Sequence, residues 1–150
     1  MWAIAAAAEI VVMVKSNAIL RRFSIHQVLT FSFMAAALRW FILFFVRSPF
    51  FIVSSQLLHA ITYGAFHVSS ILYIDALTPE TNKTLGQAAN NAVTYGLGLM
   101  IGFFISGALY DRLGTDGLFL VSGGVALSGG IVFFGFHQLR GRNAIQKKPT

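Results

Sequence analysis

The chain has 150 residues, 56% hydrophobic and only 11% charged, with a mean hydropathy of +0.71. Soluble domains carry about 25% charged residues, so a water-soluble fold would have too few charges to cover its surface, and the 15 Phe point to lipid as the main solvent. The absence of Cys rules out disulfides, thiolate metal sites and Cys nucleophiles. The net charge of +6 lies in short connections and in the tail Arg140, Arg142, Lys147, Lys148, with no basic face interleaved with stacking aromatics, which argues against nucleic acid.

A membrane helix needs roughly 20 mainly apolar residues. Five stretches qualify, approximately Trp2 to Leu20, Val28 to Val46, Pro49 to Leu77, Leu85 to Leu109 and Leu118 to Leu139. Breakers separate them at Ser48-Pro49, Thr78-Pro79-Glu80 and Gly114-Thr-Asp-Gly117. The expected fold is therefore an all-α membrane protein, a bundle of five helices over residues 1–139 followed by a basic tail, 140–150. Short connections predict antiparallel neighbours, and the apolar runs are too long for the roughly 10-residue segments of a membrane barrel.

The first span carries Glu9, and its clean apolar run stops at Lys15, short of a full crossing. Basic residues follow this run instead of preceding it, which does not fit a signal peptide. The chain is expected to begin partway through a larger protein. The second span holds Arg39. Glu9 and Arg39 each lie about seven residues below one end of their spans, roughly 10 Å down, so the two are expected to be able to pair. Such a pair serves either transport or helix packing.

The third span carries the most polar face. Gln56, His59, Tyr63, His67 and Ser70 follow at spacings of three or four, within a stripe about 80° wide. Lipid cannot face such a stripe, which must line a cavity or meet polar groups on other helices. The imidazoles titrate near neutral pH and suit proton handling; interhelical hydrogen bonding is the alternative. The two His lie about 12 Å apart along one helix, too far to ligate a single ion.

In the fourth span Gln87, Asn90, Asn91 and Thr94 precede Gly98, Gly102 and Ser106. The polar half is expected to face the same cavity as His67, and the small residues to form a packing ridge. Gly123-Gly124 and Ser128-Gly129-Gly130 read as a second ridge in the fifth span. No nucleophile and base pair, metal-ligand cluster or cofactor motif is visible, so neither an enzyme nor a bound cofactor is expected.

Counting Lys and Arg on alternate sides gives Lys15, Arg21, Arg22, Lys83 and the four tail residues on one side against Arg47 and Arg112 on the other. The first side is expected to be cytoplasmic, which puts the N-terminus outside and the C-terminus inside. Asn82-Lys-Thr84 fits a glycosylation sequon, but that topology places it in the cytoplasm.

Ala8-Glu9 with the basic loop after it, Leu38-Arg39-Trp40, the run Gln56-Leu-Leu-His59-Ala-Ile-Thr62-Tyr-Gly64-Ala-Phe-His67, and Gly107-Ala-Leu-Tyr110-Asp-Arg-Leu-Gly114 together resemble the C-terminal half of major facilitator transporters. The nearest branch is similar to phenylpropionate permeases and nucleoside:proton symporters. That resemblance implies that the five spans correspond to helices eight to twelve of a twelve-helix carrier, with the Gln56 to Ser70 stripe in the central cavity. The loop Asn17 to Ser24 resembles the family's gating-loop motif, keeping Arg22 but not its acidic and glycine positions.

The function so implied is proton-coupled movement of a small organic solute across a bacterial inner membrane. Glu9, Arg39, Gln56, His59, Tyr63, His67 and Asn91 are the candidates for the solute or proton path. The expected partners are the lipid bilayer, the solute and protons, and an absent N-terminal half, a partner chain or a second copy. Two other readings remain: a small homodimeric exporter that uses Glu9 for proton and substrate in turn, and a membrane scaffold or remnant that does not transport.

Overall fold

The computed structural model describes residues 2–146, with side chains described for 6–139 except Asn17. All regular structure among the described residues is helical. The end of the expected basic tail, 147–150, lies outside them.

Helix α1 is Trp2–Arg22 and α2 is Ile25–Phe45. The turn between them closes on a capping box: Ser24 Oγ accepts from Gln27 N and Gln27 Oε1 accepts from Ser24 N at 2.9 Å, which satisfies two backbone donors at the start of α2. Helix α3 runs over Pro49–Leu77, the limits predicted from sequence. Pro49 begins it, where a missing N–H costs nothing. It ends at Thr78-Pro79, and the turn Glu80–Asn82 leads into the next helix.

The backbone is helical from there to Gln146 apart from one break at Gly114, with φ 63° and ψ −175°. A side chain strongly disfavours that conformation, so glycine is what allows the chain to turn there. The break defines α4 as residues 83–113 and α5 as residues 115–146. Helix α5 continues past Leu139, where the apolar run ends, to Gln146. By length and composition Ile25–Phe45, Pro49–Leu77 and the stretch Glu80–Leu139 suffice to cross a bilayer.

Helix α2 packs along α5 in antiparallel fashion. Trp40 stacks on Phe119 at one end, and His26 stacks on His137 with ring centroids 3.8 Å apart at the other. Between them the expected α5 ridge is in use: a Cβ added at Gly130 would lie 2.8 Å from Met34 Cε and 2.9 Å from Phe33 Cβ. The expected α4 ridge is not covered, since a Cβ at Gly102 meets nothing within 4 Å among the described residues.

Ionic contacts lie at both ends of the bundle. Arg47 reaches Asp116 at 2.6 Å, joining the α2–α3 connection to the start of α5. At the opposite end Lys83 contacts Glu80 at 2.7 Å and Asp75 at 3.1 Å. Hydrogen bonds to Glu80 and then Asp75 hold its ammonium above the ordinary lysine range.

The buried centre is built from small residues. Ser32, Ser55, Ser69, Ala35, Ala37, Ala60 and Ala65 are all at most 6% exposed. Lipid tails are as apolar as side chains, so helices in a bilayer associate through close packing and hydrogen bonds, which small residues permit. A close seat for α1 is on α3, where the two helices lie alongside in parallel. A Cβ at Gly64 would stand 3.3 Å from the backbone oxygen of Glu9. Just above it the Glu9 and His59 side chains meet at 3.1 Å.

Gly64→Leu is therefore expected to lift α1 off α3 at a cost of about 1–3 kcal/mol while leaving helix content unchanged. Paired Cys at Glu9 and His59 should be joined by a short bismaleimide in the Gly64 chain and poorly in the Gly64→Leu chain. Equal yields would show that the seat of α1 does not depend on this glycine.

Candidate functional site

Within α3 the segment Ala60–Ala65 is a π-turn, and within α4 the segment Ala92–Gly98 is another. Both open on one pattern, Ala60-Ile-Thr-Tyr-Gly64 and Ala92-Val-Thr-Tyr-Gly96. Such widened turns loosen the regular ladder and are frequent at functional sites. Ser32 of α2, buried at 1% exposure, donates to Val28 O at 2.9 Å and also lies 3.3 Å from Ile61 O in the widened turn of α3.

The polar stripe of α3 is real and ordered around this turn. His59 Nε2 contacts Glu9 Oε1 at 3.1 Å, with side chains 23% and 19% exposed. The Tyr63 ring stacks between the two imidazoles, 5.7 Å from His59 and 6.0 Å from His67 by centroid, with the second pair almost coplanar in orientation at 3°. His67 Nδ1 then lies 3.0 Å from Tyr95 Oη on α4. Glu9, His59, Tyr63, His67 and Tyr95 thus form a line across three helices.

Arg39 stands differently from the sequence expectation. Among the described residues its guanidinium forms no ion pair; it lies 4.7 Å over the Trp40 ring, and its Nε is buried without a partner. The partner of Glu9 is His59, because Gly64 brings α1 against α3. His59 Nδ1 is likewise buried without a partner.

Besides Arg39, two further candidates do not join the line. Gln56 turns its amide back to Ile52 O at 3.5 Å on its own helix. Asn91 is exposed on α4, with no side-chain hydrogen bond among the described residues; its neighbour Gln87 donates to Ile71 O at 2.8 Å and ties α4 to α3. Tyr95 is the member that reading the spans one by one misses. The repeated Ala-x-Thr-Tyr-Gly would have pointed to it, since the first copy carries Tyr63. Among the described residues no three His, Asp or Glu side chains are placed to hold a metal ion.

The comparisons with known proteins agree with this architecture. The chain is 31% identical over 127 residues, 85% of its length and 33% of the relative's, to a protein of Escherichia coli (strain K12) named as a 3-phenylpropionic acid transporter. It is 24% identical over 98 residues, 62% of its length and 23% of the relative's, to a protein of the same organism named as the nucleoside transporter YegT. The chain thus spans about a third or less of the curated relatives it matches. No solved structure matches it. The model of the MFS_1 like family matches residues 1–121, and the chain, an all-helical membrane protein with its polar line inside that matched region, belongs to this major facilitator family.

Proposed function

We propose that this chain forms part of a secondary carrier of the major facilitator type, which moves a small organic solute together with protons by alternating access. The observation that carries the reading is the Glu9–His59 contact at 3.1 Å between two membrane helices. Ionisable groups are costly in hydrocarbon and mark ion and solute paths when they are kept there.

The chemistry of the pair supplies a coupling device. With His59 neutral and Nε2–H directed at Glu9, Nδ1 presents a lone pair that repels an anion. A proton taken up at Nδ1 turns that atom into a second donor and gives the imidazolium a carboxylate partner in Glu9. Proton loading thereby makes the site attractive to a negatively charged solute, with the Arg39 guanidinium adding positive charge nearby. Both Nδ1 of His59 and Nε of Arg39 are buried without partners, as groups held for a ligand would be.

The solute class we propose is a small aromatic carboxylate. The two nitrogens suit its anionic end and the 41% exposed Tyr63 its ring. The relative named for 3-phenylpropionic acid supports this choice. A complete cavity in this reading needs helices beyond these five, in keeping with the share of each relative that the chain covers. The excess of Lys and Arg at the α1–α2 and α3–α4 connections supports a cytoplasmic placement of that end, with the N-terminus outside.

Three outcomes test the proposal. In the assembled carrier, His59→Ala should lower uptake driven by a pH gradient at least about tenfold, the factor set by ~1.4 kcal/mol, while leaving solute exchange at equal pH partly intact; His67→Ala should weaken both. Unchanged gradient-driven uptake in His59→Ala would falsify proton coupling at this helix. For orientation, a single Cys at Asn82 should resist an impermeant maleimide in intact cells and one at Thr115 should react, and the reverse pattern overturns the assignment. Finally, the chain expressed alone should insert without appreciable uptake and regain it with a complementary N-terminal half. Robust transport by the purified chain alone in liposomes would favour a self-contained homodimer instead.

A further inference from the structure

Lys15 has no place in the polar line, although it interrupts the apolar run of α1 and is exposed. It flanks a crevice where α1, α2 and α3 meet. There a groove of about 550 Å³ is lined by Val12, Ile19 and Phe23 of the first helix and its turn, by Val28 and Phe31 of α2, and by Ala65 of α3. The groove is almost wholly apolar, with Gln27 at its mouth.

On a helix of 3.6 residues per turn, Lys15 and Arg22 fall about 60° and 80° to one side of Val12, while Arg21 falls about 180° away. One rim of the groove is therefore basic, and among the described residues neither Lys15 nor Arg22 has an acidic partner within 4 Å. From Val12 to Phe23 the groove follows α1 for roughly 16 Å, close to half of the roughly 30 Å hydrocarbon core. That is the depth of one leaflet; Arg22 stands at the headgroup end and Lys15 about 10 Å deeper along the helix. Gln27 gives its Oε1 to Ser24 N in the capping box, which leaves its amide N–H groups for a headgroup oxygen.

We infer that this groove is a binding site for one anionic phospholipid. An acyl chain lies along Val12, Ile19 and Phe31, and the phosphate is held by Arg22 at the interface and by Lys15, whose long stem lets its ammonium reach upward. The site is separate from the Glu9–His59 pair and does not depend on the solute proposed for it. It accounts for a lysine placed well inside a membrane helix and for two phenylalanines, Phe23 and Phe31, exposed at 53% and 61% beside it.

The full chain, purified in detergent and titrated with dioleoylphosphatidylglycerol or dioleoylphosphatidylcholine, can be followed by native mass spectrometry. A single phosphatidylglycerol should be retained in preference to phosphatidylcholine. Lys15→Gln and Arg22→Gln should each cut that preference about fivefold, and Arg21→Gln should leave it unchanged. Phe23→Ser combined with Phe31→Ser should weaken retention of both lipids, with circular dichroism used to verify helix content. Glycerol phosphate should fail to displace the lipid. The site is refuted if Arg21→Gln acts as strongly as Arg22→Gln, if the serine pair changes nothing, if glycerol phosphate competes, or if the two lipids bind alike.

Discussion

The approach of α1 to α3 at Gly64 is the contact on which the rest of the interior depends. In a bilayer the solvent offers apolar surfaces no reason to leave it, so helices stay together where their backbones come close enough for dense packing and for polar groups to meet. A missing side chain at Gly64 permits that approach, and the Glu9 backbone oxygen takes up the space. The same turn places Ile61 O within reach of the buried Ser32 hydroxyl. One widened turn therefore organises three helices, and the acid–imidazole contact follows from it, since a carboxylate at Glu9 cannot reach His59 unless α1 is seated.

Much of this architecture was legible because breakers and apolar length are local properties. Ser48-Pro49 and Thr78-Pro79 bound α3 where the sequence implied, and Gly114 turns the chain between α4 and α5. The polar stripe from His59 to His67 was visible for the same reason, as a face of a single helix. The pairing of Glu9 was not. Depth along a span assigns a level in the membrane, and by residue count puts Glu9 and Arg39 at the same one, but it does not say which helices touch. That choice rests on small residues such as Gly64 and Ala60, whose part in packing is invisible until two helices are brought together. Tyr95 escaped for a related reason, as its contact with His67 crosses from one helix to another.

The line from Glu9 to Tyr95 also divides the labour among elements. Helices α2 and α5 interlock through Phe33, Met34 and Phe41 against glycines and so make a firm pair. Helices α1 and α4 approach α3 from its other sides through polar contacts, the Glu9–His59 pair and the His67–Tyr95 and Gln87 hydrogen bonds. Polar contacts of this kind exchange partners more readily than an interlocked apolar seam. Helices α1 and α4 thus meet α3 partly through polar side chains, α1 also through the close backbone seat at Gly64.

The π-turn in α3 also sets an angular phase. Eight residues separate His59 from His67, and on an unbroken α-helix that interval rotates the second imidazole about 80° away from the first. A π-turn accommodates one residue beyond the regular count, which takes back about 100° and leaves the two rings within about 20° of a common meridian. Tyr63 lies one turn from each His ring, about 40° round from either on a regular helix, and the π-turn draws the three rings closer to one line. Were the turn regularised, every side chain would remain on α3, and His67 with its bond to α4 would be carried about 100° round the helix relative to His59 and α1. The alignment of the polar line between α1 and α4 therefore depends on the winding of the backbone as well as on the identity of its side chains.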